Sequence, residues 1–190
     1  KSENGNLLRE GNIYTQKFDG SASSPTAKWG NTWSVAAGMN TIRNNHTATL
    51  LANGKVLVAG GSSGAYLSQS EIYDPSTNTW SIAAGMNTVR RKHTATLLTN
   101  GKVLVAGGFN GSYLSHSEIY DPSANSWSVA AGMNTGRTSH TATLLPNGKV
   151  LVTGGNSGVF QLSHSEIYDP STGLWSVIGY MSTSKSTHTS

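Results

Sequence analysis

Three kinds of ionisable residue recur along the 190-residue chain. Arg43, Arg90 and Arg137 each stand three residues before a histidine (His46, His93, His140), and Glu71, Glu118 and Glu166 recur with them. Imidazoles at equivalent positions could ligate a metal. An arginine and a glutamate buried together could instead satisfy each other through a charge-assisted hydrogen bond. Ser115, His116 and Asp121 place a nucleophile, a base and an orienter in one stretch, but at no recognised spacing. Catalysis needs unlike residues converging on one point; here the same residues are offered three times, which is the pattern of architecture. The set is expected to be structural, with no catalytic residue, no metal and no cofactor. The chain has no cysteine, which excludes disulfides and thiolate chemistry within it. Gly60-Gly61-Ser62-Ser63-Gly64 lacks a following helix and reads as a turn, not a phosphate-binding loop.

The elements that position these residues follow from the repeat. Thr47–Leu51 returns as Thr94–Leu98 and Thr141–Leu145, and residues 42–88 differ from residues 89–135 at 11 of 47 positions. Trp33, Trp80, Trp127 and Trp175 are 47, 47 and 48 apart. One repeat reads as four short strands. Strand a is His46–Leu51, followed by Asn53-Gly54, a hairpin signal whose two turn positions call for positive φ. Strand b is Lys55–Ala59, apolar enough to be buried on both faces, and it ends at Gly60-Gly61. Strand c is Ser70–Tyr73, closed by Asp74-Pro75, and strand d surrounds Trp80. Charged residues are only 12% and glycine is 22 of 190, which disfavours helices. Four strands per unit in an antiparallel meander make one blade of a propeller.

The sequence resembles the Kelch repeat family. The carriers are the glycine pairs Gly60-Gly61, Gly107-Gly108 and Gly154-Gly155, the tyrosines Tyr73, Tyr120 and Tyr168, and the tryptophan seven residues later. The resemblance implies an all-β, Kelch-type β-propeller of four-stranded antiparallel blades, used for binding rather than catalysis. Galactose-oxidase-like enzymes are also built on such propellers. Their Cys–Tyr radical site needs a cysteine, so in that alternative the catalytic residues lie outside these 190 residues.

The expected organisation is a single domain over 1–190. Residues 1–41 form a degenerate partial blade, 42–88, 89–135 and 136–180 are complete blades, and 181–190 start a closing strand a. Three blades are complete and a fourth is split between the termini. Closure would give four blades; a fragment or an oligomer of a larger propeller is the alternative. The chain opens at Lys1 rather than Met, as a processed or trimmed chain would. No apolar run approaches the length of a membrane span.

Function is expected where the copies differ. In a meander the b–c and d–a loops emerge on one face and the a–b and c–d turns on the other. The d–a loop changes from Asn44-Asn45 to Arg91-Lys92 to Thr138-Ser139, and the b–c loop changes most. The candidate ligand-binding residues are therefore Phe109, Asn110, Tyr113, Arg91, Lys92, Tyr66, Asn156 and Phe160. Phe109 has no counterpart in the other copies and is expected to be the exposed one. Trp33, Trp80, Trp127, Trp175 and the three glycine pairs are expected to be structural. The net charge of +4 reduces to Arg91 and Lys92 plus the two ends, so no nucleic-acid partner is expected. A protein or glycan ligand is expected, with a homo-oligomer or longer parent chain as an option; a purely structural repeat scaffold is the other alternative. A composition rich in Ser, Thr, Asn and Gly points to an extracellular or secreted protein.

Overall fold

The structure is a computed structural model that describes residues 35–158 and 160–181, together with the backbone of Leu7–Arg9 and Asn12–Tyr14. The chain divides into two units, Lys1–Val35 and Ala36–Ser190. In the first, β1 (Leu7–Arg9) and β2 (Asn12–Tyr14) pair antiparallel with Leu8 opposite Ile13. Trp33 lies outside the described residues, as does the segment 182–190 expected to begin a closing strand.

The second unit holds three four-stranded sheets, each an antiparallel meander in chain order. Blade 1 is β3 (Thr47–Leu50), β4 (Val56–Ala59), β5 (Ser70–Asp74) and β6 (Thr79–Ala83). Blade 2 is β7 (Thr94–Leu97), β8 (Val103–Ala106), β9 (Ser117–Asp121) and β10 (Ser126–Ala130). Blade 3 is β11 (Thr141–Leu144), β12 (Val150–Thr153), β13 (His164–Asp169) and β14 (Leu174–Tyr180). Equal sequences give equal register: Trp80 faces Tyr73, Trp127 faces Tyr120, and Trp175 faces Tyr168. The extra residue of the third copy lies in its b–c loop, and a bulge at Ser165/Glu166 marks β13 and β14.

The hairpin after strand a differs from its expected form. Gly54 has φ +80, but Asn53 is not among the residues with positive φ. The Gly54 amide donates to Leu51 O at 3.0 Å and the Leu51 amide to Lys55 O at 2.8 Å. This is a three-residue connection, a type I turn closed by a left-handed glycine. The Asn53 side chain accepts from the Lys55 amide at 3.1 Å, which explains asparagine there without a left-handed backbone.

Consecutive blades pack face to face. Leu51 and Leu57 of blade 1 meet Val103 and Tyr120 of blade 2, and Leu98 and Leu104 of blade 2 meet Val150 and Tyr168 of blade 3. Each such buried side chain contributes about 1.5–3 kcal/mol. Strand β7 adjoins both β3 and β11, so strand a is the inner strand of each blade. Trp127 and Trp175 sit at the rim of these clusters, half-buried. Trp127 lies 5.1 Å from the Tyr120 ring and packs against clusters drawn from blades 1 and 2, while its indole N–H donates to Ala84 O at 2.8 Å. They are clips on the incoming chain as much as core filling.

The glycine pair marks the closest approach of two blades. Gly61 donates to Arg90 O at 2.9 Å, and a Cβ on Gly60 (φ +63) would lie 2.6 Å from that same oxygen. Only glycine combines this backbone with this proximity.

Candidate functional site

The repeated charges build the frame of the site. Arg43 donates to Glu71 at 2.6 Å, Arg90 to Glu118 at 2.7 Å and Arg137 to Glu166, all with buried side chains. Each glutamate also accepts from the loop that opens its own blade. Glu118 takes the Asn87 amide (2.6 Å), the Asn87 side chain (2.8 Å) and the Thr88 amide (3.0 Å). Each arginine ties the same point to the end of strand b: Arg90 donates to Gly107 O at 2.8 Å and His116 O at 2.9 Å. Burial pushes the Glu71 carboxyl up, but the donors from Arg43, Asn40 and Thr41 outweigh it and hold it below the usual carboxylate range. The d–a loop and the start of the b–c loop are thus anchored to one buried ion pair.

The histidines link neighbouring blades. His93 Nε2 lies 2.9 Å from Thr47 Oγ1, and His140 Nε2 lies 3.0 Å from Thr94 Oγ1. Burial pushes His93 down to about 3, with Arg90, His140 and His46 adding to it. It is a neutral hydrogen-bonding group at neutral pH. Among the described residues no cluster of His, Asp or Glu has the arrangement of a metal site.

The d–a and b–c loops share one face, joined as a small ribbon in each of the three described blades. Asn44, Ser62 and Tyr66 lie side by side in blade 1, Arg91, Phe109 and Tyr113 in blade 2, and Thr138, Asn156 and Gln161 in blade 3. An inner row runs across blades: the Lys92 amide donates to Asn45 O at 3.0 Å and the Ser139 amide to Lys92 O at 3.2 Å. All three residues are left-handed, with φ between 53 and 55.

On this face four candidates meet. Phe109 stands edge-on to Tyr66 (ring centres 5.9 Å apart) and to Tyr113 (5.1 Å). The Arg91 guanidinium lies 5.2 Å from the Tyr66 ring centre and 5.6 Å from that of Phe109. Tyr113 reaches blade 3, where a Cβ on Gly158 would come within 2.7 Å of its ring. Gly158 escapes a sequence reading because Gly64 and Gly111 recur at the same place and look like plain loop formers; its role as a floor comes from the neighbouring blade.

The remaining candidates fall differently. Phe109, expected to be exposed, is half-buried, because a ring at a position held by Ser62 and Asn156 in the other blades drops between two tyrosines. Phe160 is the protruding ring, 70% exposed. Asn110 accepts from the Ser112 amide and Asn156 from the Gly158 amide, so both side chains shape their own loops. Lys92 is exposed beside Arg91.

The opposite face repeats rather than varies. Lys55–Asp74, Lys102–Asp121 and Lys149–Asp169 pair there at 2.9–3.0 Å, joining the a–b turn to the c–d turn. An open cleft of about 350 Å³ lies between blades 1 and 2 at this end, lined by Asn53, Asn100, Lys102 and Asp121, its charges already matched. Ser115 and His116 precede β9 while Asp121 ends it. Five residues of strand separate His116 from Asp121 by roughly 16 Å, so the three cannot form a triad.

Four-stranded meanders packed blade on blade, with the inner strands adjoining, define a β-propeller. The Kelch motif matches residues 43–87, 90–134 and 137–182, and the chain belongs to that family. Among 168 matching chains of solved structures is one titled "Structure of YjhT". It is 18% identical, with a TM-score of 0.71 over 82% of this chain and 57% of that one. The present chain thus spans less than two thirds of that structure. No curated protein matches.

Proposed function

We propose that the chain is a non-catalytic binding module whose d–a and b–c loop face holds a protein or glycan partner. One observation carries this reading. Arg91 and Phe109, which replace Asn44 and Ser62 of the near-identical first blade, come together against the repeated Tyr66 and Tyr113 in one contiguous patch, whereas the far face repeats its Lys–Asp pairs. Loops on a rigid repeat scaffold are where such proteins bind.

The test is binding of immobilised peptides (acidic, basic and neutral) and neutral oligosaccharides to two variants. Arg91→Ala/Phe109→Ala/Tyr113→Ala should weaken at least tenfold whatever binds the wild type. Lys55→Ala/Lys102→Ala/Lys149→Ala on the other face should not. The reverse pattern contradicts the reading.

A second reading is the propeller portion of a longer carbohydrate-active enzyme, with which coverage of only 57% of a similar structure is compatible. In that reading the reactive residues come from elsewhere. A location outside the cell is consistent with a chain rich in Ser, Thr, Asn and Gly, and among the described residues no helix is long and apolar enough to cross a membrane.

A further inference from the structure

The charges of the described blades match one for one, with two exceptions. Glu71, Glu118 and Glu166 are held by Arg43, Arg90 and Arg137, and Asp74, Asp121 and Asp169 by Lys55, Lys102 and Lys149. That uses every described carboxylate. Arg91 and Lys92 remain, adjacent, with no ion-pair partner among the described residues, and both lie on the variable loop face. No acid occupies the d–a or b–c loops of any described blade.

Arg91 is also held in place. Its backbone is fixed by paired bonds with Phe109 at 2.9 and 3.0 Å, and its guanidinium rests against the Tyr66 and Phe109 rings. Its Nε is buried without a hydrogen-bond partner, so the two terminal nitrogens are the donors that a stacked, pre-oriented guanidinium presents to a carboxylate. The surrounding rings lower the local polarity and strengthen such a contact.

We infer that this patch is a docking site for an acidic peptide segment, in which Arg91 takes a Glu or Asp carboxylate, Lys92 a neighbouring one, and Tyr113 and Phe160 flank the chain. Resting on the loop-face proposal, the inference adds the chemistry of the partner. A glycan fits less well. Sugar stacking needs an open ring face, which Phe160 offers, but the rings beside Arg91 do not: Phe109 is wedged edge-on between Tyr66 and Tyr113, and Arg91 lies against Tyr66 and Phe109. Nucleic acid fits less well too, since two cations displace few counterions and give little affinity for a phosphate backbone.

Blade 1 provides conservative variants. It carries Asn44 and Asn45 where blade 2 carries Arg91 and Lys92, in the same backbone, so Arg91→Asn and Lys92→Asn place blade 1 residues at their equivalent sites. The probes are a fluorescein-labelled pool of ten-residue Glu/Asp-rich peptides, the same pool with Gln and Asn in place of the acids, and a ten-residue oligothymidylate. Fluorescence anisotropy at 50 and 200 mM salt gives the affinities, and thermal melts confirm folding. The acidic pool should bind at low salt, weaken at high salt, lose at least tenfold in Arg91→Asn and about threefold in Lys92→Asn, and recover only partly in Arg91→Lys. The amide pool should bind at least tenfold more weakly. No binding of the acidic pool, equal binding by folded Arg91→Asn, or tighter binding of the oligothymidylate overturns the inference. If neutral oligosaccharides bind instead and are lost in Phe109→Ser, the loop-face reading survives and the acidic-peptide inference does not.

Discussion

Arg90 donates to Glu118 at 2.7 Å with both side chains shut away from solvent, and the same carboxylate receives the amides of Asn87 and Thr88. The residue that neutralises the charge and the loop that carries Arg91 and Lys92 therefore share one anchor. Glu118→Gln keeps the shape but removes the charge, leaving Arg90 buried and unpaired. It should cost about 3–5 kcal/mol in urea unfolding, the usual cost of breaking a buried pair. Lys102→Ala, which breaks an exposed pair, should leave the midpoint almost unmoved.

Trp127 is a clip at the rim of two blades. Trp127→Ala removes the contact with Tyr120 and the packing on the clusters of blades 1 and 2, as well as the bond to Ala84 O. A loss of about 3 kcal/mol is expected, at the low end for a large aromatic because the ring is half-buried. Trp127→Phe keeps most of the packing and isolates the hydrogen bond, at about 1 kcal/mol. Calorimetry of the pair separates the two contributions.

Two glycines of the same blade test proximity against conformation. Gly101 (φ +80) has open space around it, whereas a Cβ on Gly107 (φ +67) would lie 2.7 Å from Arg137 O. Gly101→Ala pays only for the left-handed backbone, about 1 kcal/mol. Gly107→Ala must also push blade 3 away, and its loss should be clearly larger. Equal losses would mean that the blades are not locked at this point.

Acid should destabilise the fold before its carboxylates titrate. His93 is held near 3, far below the 6.5 of an unfolded histidine. Between those values the unfolded chain binds a proton that the folded chain refuses, so stability falls as pH drops. The slope from this site approaches about 1.4 kcal/mol per pH unit. Glu71 and Glu166, held low by their donors, add further loss in the same direction at still lower pH. Urea midpoints from pH 7 to 4 check this, and His93→Gln should flatten the decline.

Much of the architecture is legible in the sequence because the repeat supplies its own internal comparison. Strand order, the Gly-Gly junctions and the side on which Arg91 and Phe109 emerge all follow from period and patterning. Contacts between neighbouring repeats do not. That Phe109 is wedged between Tyr66 and Tyr113, that Glu118 grips Asn87, and that Gly158 supports Tyr113 depend on how one blade faces the next, and a 47-residue period is silent on this. The Asn53-Gly54 turn shows the same limit locally: the dipeptide marks a hairpin, while the one-residue difference in loop length decides which φ is positive.

The most direct measurement exchanges the faces of two blades. Arg91→Asn/Lys92→Asn/Phe109→Ser gives blade 2 the residues of blade 1 at these three positions, and Asn44→Arg/Asn45→Lys/Ser62→Phe does the reverse. With the Glu/Asp-rich peptide pool as probe, the first variant should lose at least tenfold in affinity while its melting temperature stays within a few degrees of wild type. Adding the second set to it should restore part of the binding. Undiminished binding by the folded first variant would contradict a ligand site on the loop face of blade 2.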